Sequence, residues 1–277
     1  MASDYYKIKA LSHSMLSCLD RNPMECKMRY VDDPPTLPEK DTAAFAMGHA
    51  VHCLALEPEK MDERFVVSPK IDRRTKEGKL QASLFERDNQ GKTVLTLEDY
   101  ADAVACVQAL NNHADLATIM QQPKRVEVEH QFDLFGRRFK ARLDCVIDSM
   151  KLILDIKTTD DASPHRWQWS AVDYGYHRQA FIYQAAVELS HSNKKRVDES
   201  YRFIFAVVEK PKPSTRGIPP TVALYEFDKE TIEMAAQDTW WLVQDFEERL
   251  KTNDWQRFYS KGIRSLRLPK RKVYEGE

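Results

Sequence analysis

Between residues 125 and 157 the chain carries three short stretches of strand character separated by only two tight turns. That feature restricts the fold more than any other. Residues 125–135 and 138–147 alternate apolar with polar side chains, and 152–157 form a short apolar run. Connections this short join antiparallel neighbours, since parallel strands need a long crossover. A two-residue turn at Gly136-Arg137 puts Gly at the first central position, as a type II′ turn favours, and sets Glu129 opposite Asp144. A second turn centred on Ser149-Met150 sets Asp144 opposite Asp155. Glu129, Asp144 and Asp155 then form a row across one face, and Lys157 joins it because side chains repeat every second residue. The other face carries Ala141, Leu143, Cys145, Leu152, Leu154 and Ile156 as a core layer.

Directly opposed carboxylates, with Cβ atoms about 5 Å apart, destabilise a sheet. A bound hard cation removes that penalty, and oxygen ligation points to Mg²⁺ or Mn²⁺. The same acids could instead lie on a solvated face screened by Lys140, Arg142 and Lys157. Register alone leaves both readings open.

Around these strands, Asn22-Pro23 marks a helix start leading into 24–31. Further helices are expected at 42–56, 97–111, 170–189 and 228–252, and strands at 201–209 and 221–227. The polar, basic stretch 68–93 reads as a mobile loop or broken helix. The whole chain, 1–277, is expected to form one α/β domain, mainly helical over 1–120, with the sheet over 121–277. Hydrophobic residues make up 42% and charged residues 31%, a soluble globular balance. No apolar run approaches a membrane span and the start lacks a signal-peptide pattern, so a cytoplasmic location is expected. Cys18, Cys26, Cys53, Cys106 and Cys145 are scattered without a C-x-x-C pair and read as free buried thiols. Net charge is −1, yet residues 257–272 hold seven Lys or Arg and no acid, and 70–92 hold seven basic against four acidic residues. Local positive surface of this kind can track phosphates.

The string Leu154-Asp155-Ile156-Lys157, eleven residues beyond Asp144, resembles the core signature of PD-(D/E)XK nucleases. Gly48-His49-Ala50-Val51-His52 resembles the G-x-x-x-H element of the RecB-like branch. On its helix, His52 is expected to share an inward stripe with Phe45, Gly48, Ala55 and Leu56. Gln179 and Tyr183 match the Q-x-x-x-Y element of that branch, and Glu129 takes the place of the acid that precedes the first Asp. The basic segment from Lys70 to Lys79 and the opening Leu11-Ser12-His13-Ser14-Met15-Leu16 resemble exonuclease VIII (RecE-type) proteins.

This resemblance implies a restriction-endonuclease-like core, a central mixed sheet flanked by helices. It further implies Mg²⁺ (or Mn²⁺) held by His52, Asp144, Asp155 and the Ile156 carbonyl, with Glu129 serving a second ion. Lys157 would orient or activate the nucleophile, and Gln179 and Tyr183 would support the site. Arg73, Arg74, Lys76, Arg142, Ser12 and Ser14 are candidates for DNA contact. The expected activity is processive degradation of linear duplex DNA from 5′ ends, leaving 3′ single-stranded tails. The expected assembly is a homotetrameric ring working with a RecT-like single-strand annealing protein. Some relatives hold an iron–sulfur cluster through late cysteines; no Cys follows Cys145, so no cluster is expected. No Walker-type loop occurs, so no motor domain is expected either. A PD-(D/E)XK endonuclease and a catalytically idle DNA-binding module are the alternatives.

Overall fold

The computed structural model describes residues 4–37, 43–190, 201–212, 214, 217–257 and 263. Helix α1 (His13–Arg21) begins at Ser12, whose side chain accepts the Met15 N–H. α2 (Pro23–Cys26) is capped by Asn22 with Pro23 in its first turn, as expected, and widens into a π-turn at Lys27–Val31. Then follow α3 (Ala43–Leu56), α4 (Met61–Arg64), β1 (Phe65–Val67), α5 (Lys76–Asp88), β2 (Thr93–Leu95), α6 (Leu97–Asn112) and α7 (Ala114–Met120). β3 (Arg125–Leu134), β4 (Arg137–Ile147) and β5 (Leu152–Thr159) form the meander. α8 (Pro164–Tyr174) and α9 (Tyr176–Ser190) lead to β6 (Arg202–Glu209), β7 (Val222–Tyr225) and α10 (Lys229–Thr252).

The five-stranded sheet runs β3-β4-β5-β6-β7, with β5 and β6 parallel and the other neighbours antiparallel. α8 and α9 make the crossover that a parallel pair requires. Both faces of the sheet are covered. One packs Phe139, Ile153 and Phe205 with Leu16 and Leu19 of α1, Ile182 of α9 and Val243 of α10. The other packs Leu152, Leu154 and Ile156 with Val51 of α3, Ala103 of α6 and Leu116 of α7. This is the mixed α/β architecture the sequence implied. Among the described residues no helix is long and apolar enough to cross a membrane. All five cysteines are buried thiols.

Several expectations change, and one left open is resolved. Of the two readings of stretch 68–93 the helical one holds in its middle, where the Thr75 hydroxyl caps the 13-residue helix α5. The single helix expected at 170–189 is two, because Gly175 takes a left-handed conformation (φ 68°) that ends α8. The first hairpin turns at Phe135-Gly136, not Gly136-Arg137, so Leu134 pairs with Arg137 and Glu129 with Arg142. Both turn residues have positive φ (52° and 75°), the type I′ geometry that suits the twist of a hairpin. A phenylalanine is a poor occupant of that backbone, but its ring stacks on Phe181 at 6.1 Å, which offsets a local cost of about 1–2 kcal/mol.

The second turn keeps the expected register, pairing Cys145 with Leu154 and Ile147 with Leu152. The pleat nevertheless slips midway. Ala141 and Leu143 lie in the layer with α1 and α9, whereas Cys145 and Ile147 lie in the layer with α3. The expected single face therefore divides at Asp144. On β3 the same slip occurs at Glu127, whose φ is 49°: Val128 faces one layer and Val126 the other. The basic tail at 257–272 falls outside the described residues apart from Arg257 and Ile263.

Gly136 has open space around its α-carbon, so Gly136→Ala meets only the backbone cost of positive φ. Urea denaturation should show a loss of about 1–2 kcal/mol with an unchanged m-value.

Candidate functional site

β4 and β5 are hydrogen-bonded partners only from Cys145 to Ile147, and beyond Cys145 they separate. The gap is filled from two sides. The Leu11 backbone bonds to β4 at Phe139, donating to the Arg138 carbonyl at 3.0 Å and accepting from Lys140 at 2.8 Å. Asp144 turns its carboxylate into the gap, where Oδ2 accepts the Ile156 N–H at 3.3 Å. The candidate site sits at this splay.

Asp155 is 1% exposed. Gln179 Nε2 donates to its Oδ1 at 2.6 Å, and Lys157 Nζ lies 2.5 Å from Oδ2. Oδ2 is thus a buried carboxylate oxygen whose partner is the Lys157 ammonium. His52 reaches in from α3, with Nδ1 3.2 Å from Asp144 Oδ2 and Nε2 2.5 Å from the Ile156 carbonyl. Gly48 faces β5, where a Cβ would make ordinary contact with the Thr158 hydroxyl at 3.6 Å. Phe45, expected on the same inward stripe, is instead 53% exposed.

Burial, reinforced by the neighbouring Asp155 carboxylate, pushes Asp144 well above the usual carboxylate range. Burial, and then the Lys157 charge, pulls His52 down. Burial also works against the Lys157 ammonium, but Asp155 and Asp144 outweigh it and hold its pKa above the ordinary lysine value. Tyr183, one helical turn beyond Gln179, is pushed well up by burial and by both aspartates. A neutral imidazole donates from one nitrogen only. The His52 ring is therefore satisfied at the Ile156 carbonyl when Nε2 carries the proton.

Two carboxylates, an imidazole and a backbone carbonyl are donor types that hard or borderline divalent cations accept. Among the described residues no three His, Cys, Asp or Glu side chains form a ready cage; the Ile156 carbonyl belongs to the set. Two buried carboxylates this close, with burial and Asp155 raising the Asp144 pKa well above its usual range, are the arrangement a cation would relieve. The donor set fits one.

The third acid in the row is Glu127. It lies level with Asp144, and its carboxylate contacts Arg142 Nε at 2.9 Å. Glu129 is exposed and faces Arg142 across the ladder. The two-residue change in hairpin register accounts for the exchange. Arg142 sits beside the site, its guanidinium 5.4 Å from the Tyr5 ring. Of the other DNA-contact candidates, Ser12 is the α1 cap and Ser14 is exposed. Arg73 and Arg74 pair on the surface with Glu86 and Asp72, and Lys76 is exposed at the start of α5.

Sequence reasoning passed over His13. Its Nε2 lies 3.1 Å from the Gly175 carbonyl and 3.0 Å from the Ser17 hydroxyl, which itself donates to the Tyr174 carbonyl. Together with the Arg178–Asp20 ion pair at 2.8 Å, these bonds tie α1 to the junction from which α9 presents Gln179. The motif around His13 was visible, but a pairing across 162 residues leaves no local signal.

A family model described as a PDDEXK-like domain of unknown function, DUF3799, matches residues 12–256. A crystal structure of a proposed exonuclease from Eubacterium rectale superposes with a TM-score of 0.62 at 15% identity, over 97% of this chain and 93% of that one. A phage-related exonuclease from Haemophilus somnus 129PT is 15% identical over 91% of this chain and 99% of its own, with a TM-score of 0.37, too low to carry an argument. No curated protein matches the chain.

Burial, with Lys157 and Arg178 nearby, pushes the His13 pKa from 6.5 down to about 3. The unfolded chain protonates this histidine first. Its contribution to stability is thus full above about pH 6.5 and is lost as pH falls toward 3. His13→Gln should therefore lose less stability than the native chain between pH 7 and pH 4, as read from urea midpoints.

Proposed function

This chain belongs to the PDDEXK-like family DUF3799, and on that premise we propose that it is a Mg²⁺-dependent exonuclease that degrades linear double-stranded DNA from 5′ ends and leaves 3′ single-stranded tails. The observation that carries the reading is the buried Asp155, gripped by Lys157 and Gln179 and set beside the Asp144–His52 pair where two strands part. Such a gap exposes backbone and carboxylate oxygens at one point while the surrounding sheet holds them rigid.

Asp144, Asp155, His52 and the Ile156 carbonyl would hold the cation, and Glu127, released from Arg142, would add a further carboxylate. Mg²⁺ supplies Lewis-acid stabilisation of the charge that grows on the scissile phosphate. Lys157, kept protonated by the two aspartates, donates hydrogen bonds to a phosphate oxygen and so stabilises the transition state more than the ground state. Gln179 fixes the Asp155 rotamer, and Tyr183, one turn further along α9, packs on Phe203 beside it. Arg142 can exchange Glu127 for a backbone phosphate, a charge-assisted contact suited to its planar guanidinium.

The polarity, a ring of four subunits and cooperation with an annealing protein are parts of this proposal supported by the sequence resemblance. A ring would let a chain of net charge −1 enclose DNA by turning its basic segments to one channel.

Linear duplex labelled at the 5′ or 3′ end, with a covalently closed circle as control, tests the activity. Loss of the 5′ label first, with the circle intact, is the expected result; nicking of the circle would make the protein an endonuclease. Lys157→Ala should lower the single-turnover rate at least a hundredfold while DNA affinity changes less than threefold; full activity in this variant would refute the assignment. Mn²⁺ at about 100 times its Kd should stabilise the native chain by about 2.7 kcal/mol in thermal unfolding, and Asp155→Asn should lose that response.

A further inference from the structure

Four aromatic rings form a column beside the site. Tyr225 stacks on Trp167 (5.9 Å, 14°), Trp167 on Tyr176 (5.2 Å, 26°) and Tyr176 on Tyr174 (5.6 Å, 25°). The Tyr225 hydroxyl is tied down by donating to the Ala162 carbonyl. The other end is open: Tyr174 is 51% exposed, although the backbone beneath it is pinned by the Ser17 hydroxyl. Lys157 Nζ lies 5.1 Å from the centre of the Tyr176 ring, so the column adjoins the lysine that faces Asp155.

Against this column lies a cavity of about 180 Å³, whose walls include Thr158, Arg166, Trp167, Ser170, Tyr174 and Tyr176. Trp167 is 4% exposed, so the ring behind this wall belongs to the core. Two aspartates also line the cavity, but each is engaged: Asp160 pairs with Lys210 at 2.8 Å, and Asp161 accepts the Ser163 N–H at 2.8 Å. The cavity thus combines the exposed aromatic face of Tyr174 with hydroxyl groups and balanced charge. A bare phosphate would call for a net positive pocket; a planar heterocycle with polar edges calls for this mixture.

We propose that this cavity is a subsite for one unpaired nucleobase of the strand being cut, stacked on Tyr174 with its edge toward the cavity's polar wall. The site is far too small for a base pair, so the nucleotide next to the scissile bond enters it only after leaving the duplex stack. The subsite acts on specificity: it selects a strand whose terminal base can be drawn out, and it holds the adjoining phosphate in register with Lys157. The proposal rests on the nuclease reading of the neighbouring carboxylates, but its binding chemistry can be tested without cleavage.

The probe is dAMP, compared with deoxyribose 5-phosphate, which lacks the base, in calorimetric titrations of the full chain. The native protein is expected to bind dAMP at least tenfold more tightly than the base-free compound, as loss of a stacked base usually costs on the order of tenfold or more. Tyr174→Ala should bring the two affinities together, whereas Tyr174→Phe, which keeps the ring, should preserve the difference. Tyr174 is exposed, so the alanine variant retains the fold, which circular dichroism checks. Equal binding of both compounds by the native protein, or a preference that survives in Tyr174→Ala, would overturn the subsite. If dAMP binding depends on Tyr174 but no DNA is cut, the subsite stands and the nuclease reading falls. If DNA is cut and the base makes no difference to binding, the subsite falls alone.

Discussion

The separation of β4 from β5 beyond Cys145 is the constraint on which the rest of this structure depends. Two strands that stayed paired would bring Asp144 and Asp155 face to face within a hydrogen-bonded ladder, closed to a phosphate. By parting, they leave an Ile156 N–H for the Asp144 carboxylate and an Ile156 carbonyl for His52. The N-terminal segment repairs the edge that β5 abandons by bonding Leu11 to Phe139. That repair sets where α1 starts, and α1 in turn braces the α8–α9 junction through His13, Ser17 and the Arg178–Asp20 pair.

Electrostatic cost is concentrated at the same point. Asp144, Asp155 and Lys157 are brought together among buried side chains, where desolvation penalises each charge. One positive charge does not balance two carboxylates, and burial raises the Asp144 pKa in consequence. A site of this kind trades stability for function: the groups that would react with a phosphate are those the fold alone satisfies least. The large apolar layers on both faces of the sheet make that trade tolerable, since Asp155 is held between Leu154 and Ile156, both nearly fully buried.

The aromatic column extends the argument from the carboxylates to the rest of the cleft. Trp167 and Tyr176 belong to the same packed layer as Phe205, so the wall of the cavity is continuous with the core. A wall anchored in this way does not collapse when a polar ligand leaves. Lys157 links the two regions, with its ammonium between the Asp155 carboxylate and the Tyr176 ring.

The sequence by itself determined a good deal. Alternation and short turns defined β3 to β5 almost to the residue, and the acid-x-Lys string with G-x-x-x-H and Q-x-x-x-Y named the side chains found around the splay: Asp144, Asp155, Lys157, His52 and Gln179. These are local patterns, set by period and spacing, and a linear text preserves them. Only the tertiary structure decided that Glu127 and not Glu129 stands level with Asp144, because stacking of Phe135 on Phe181 selects a turn that local preference disfavours. It likewise decided the pleat slip at Glu127 and Asp144 and the His13 bridge to Gly175. Each depends on contacts between distant segments, whose energies outweigh local propensity yet leave no mark in the spacing of neighbouring residues.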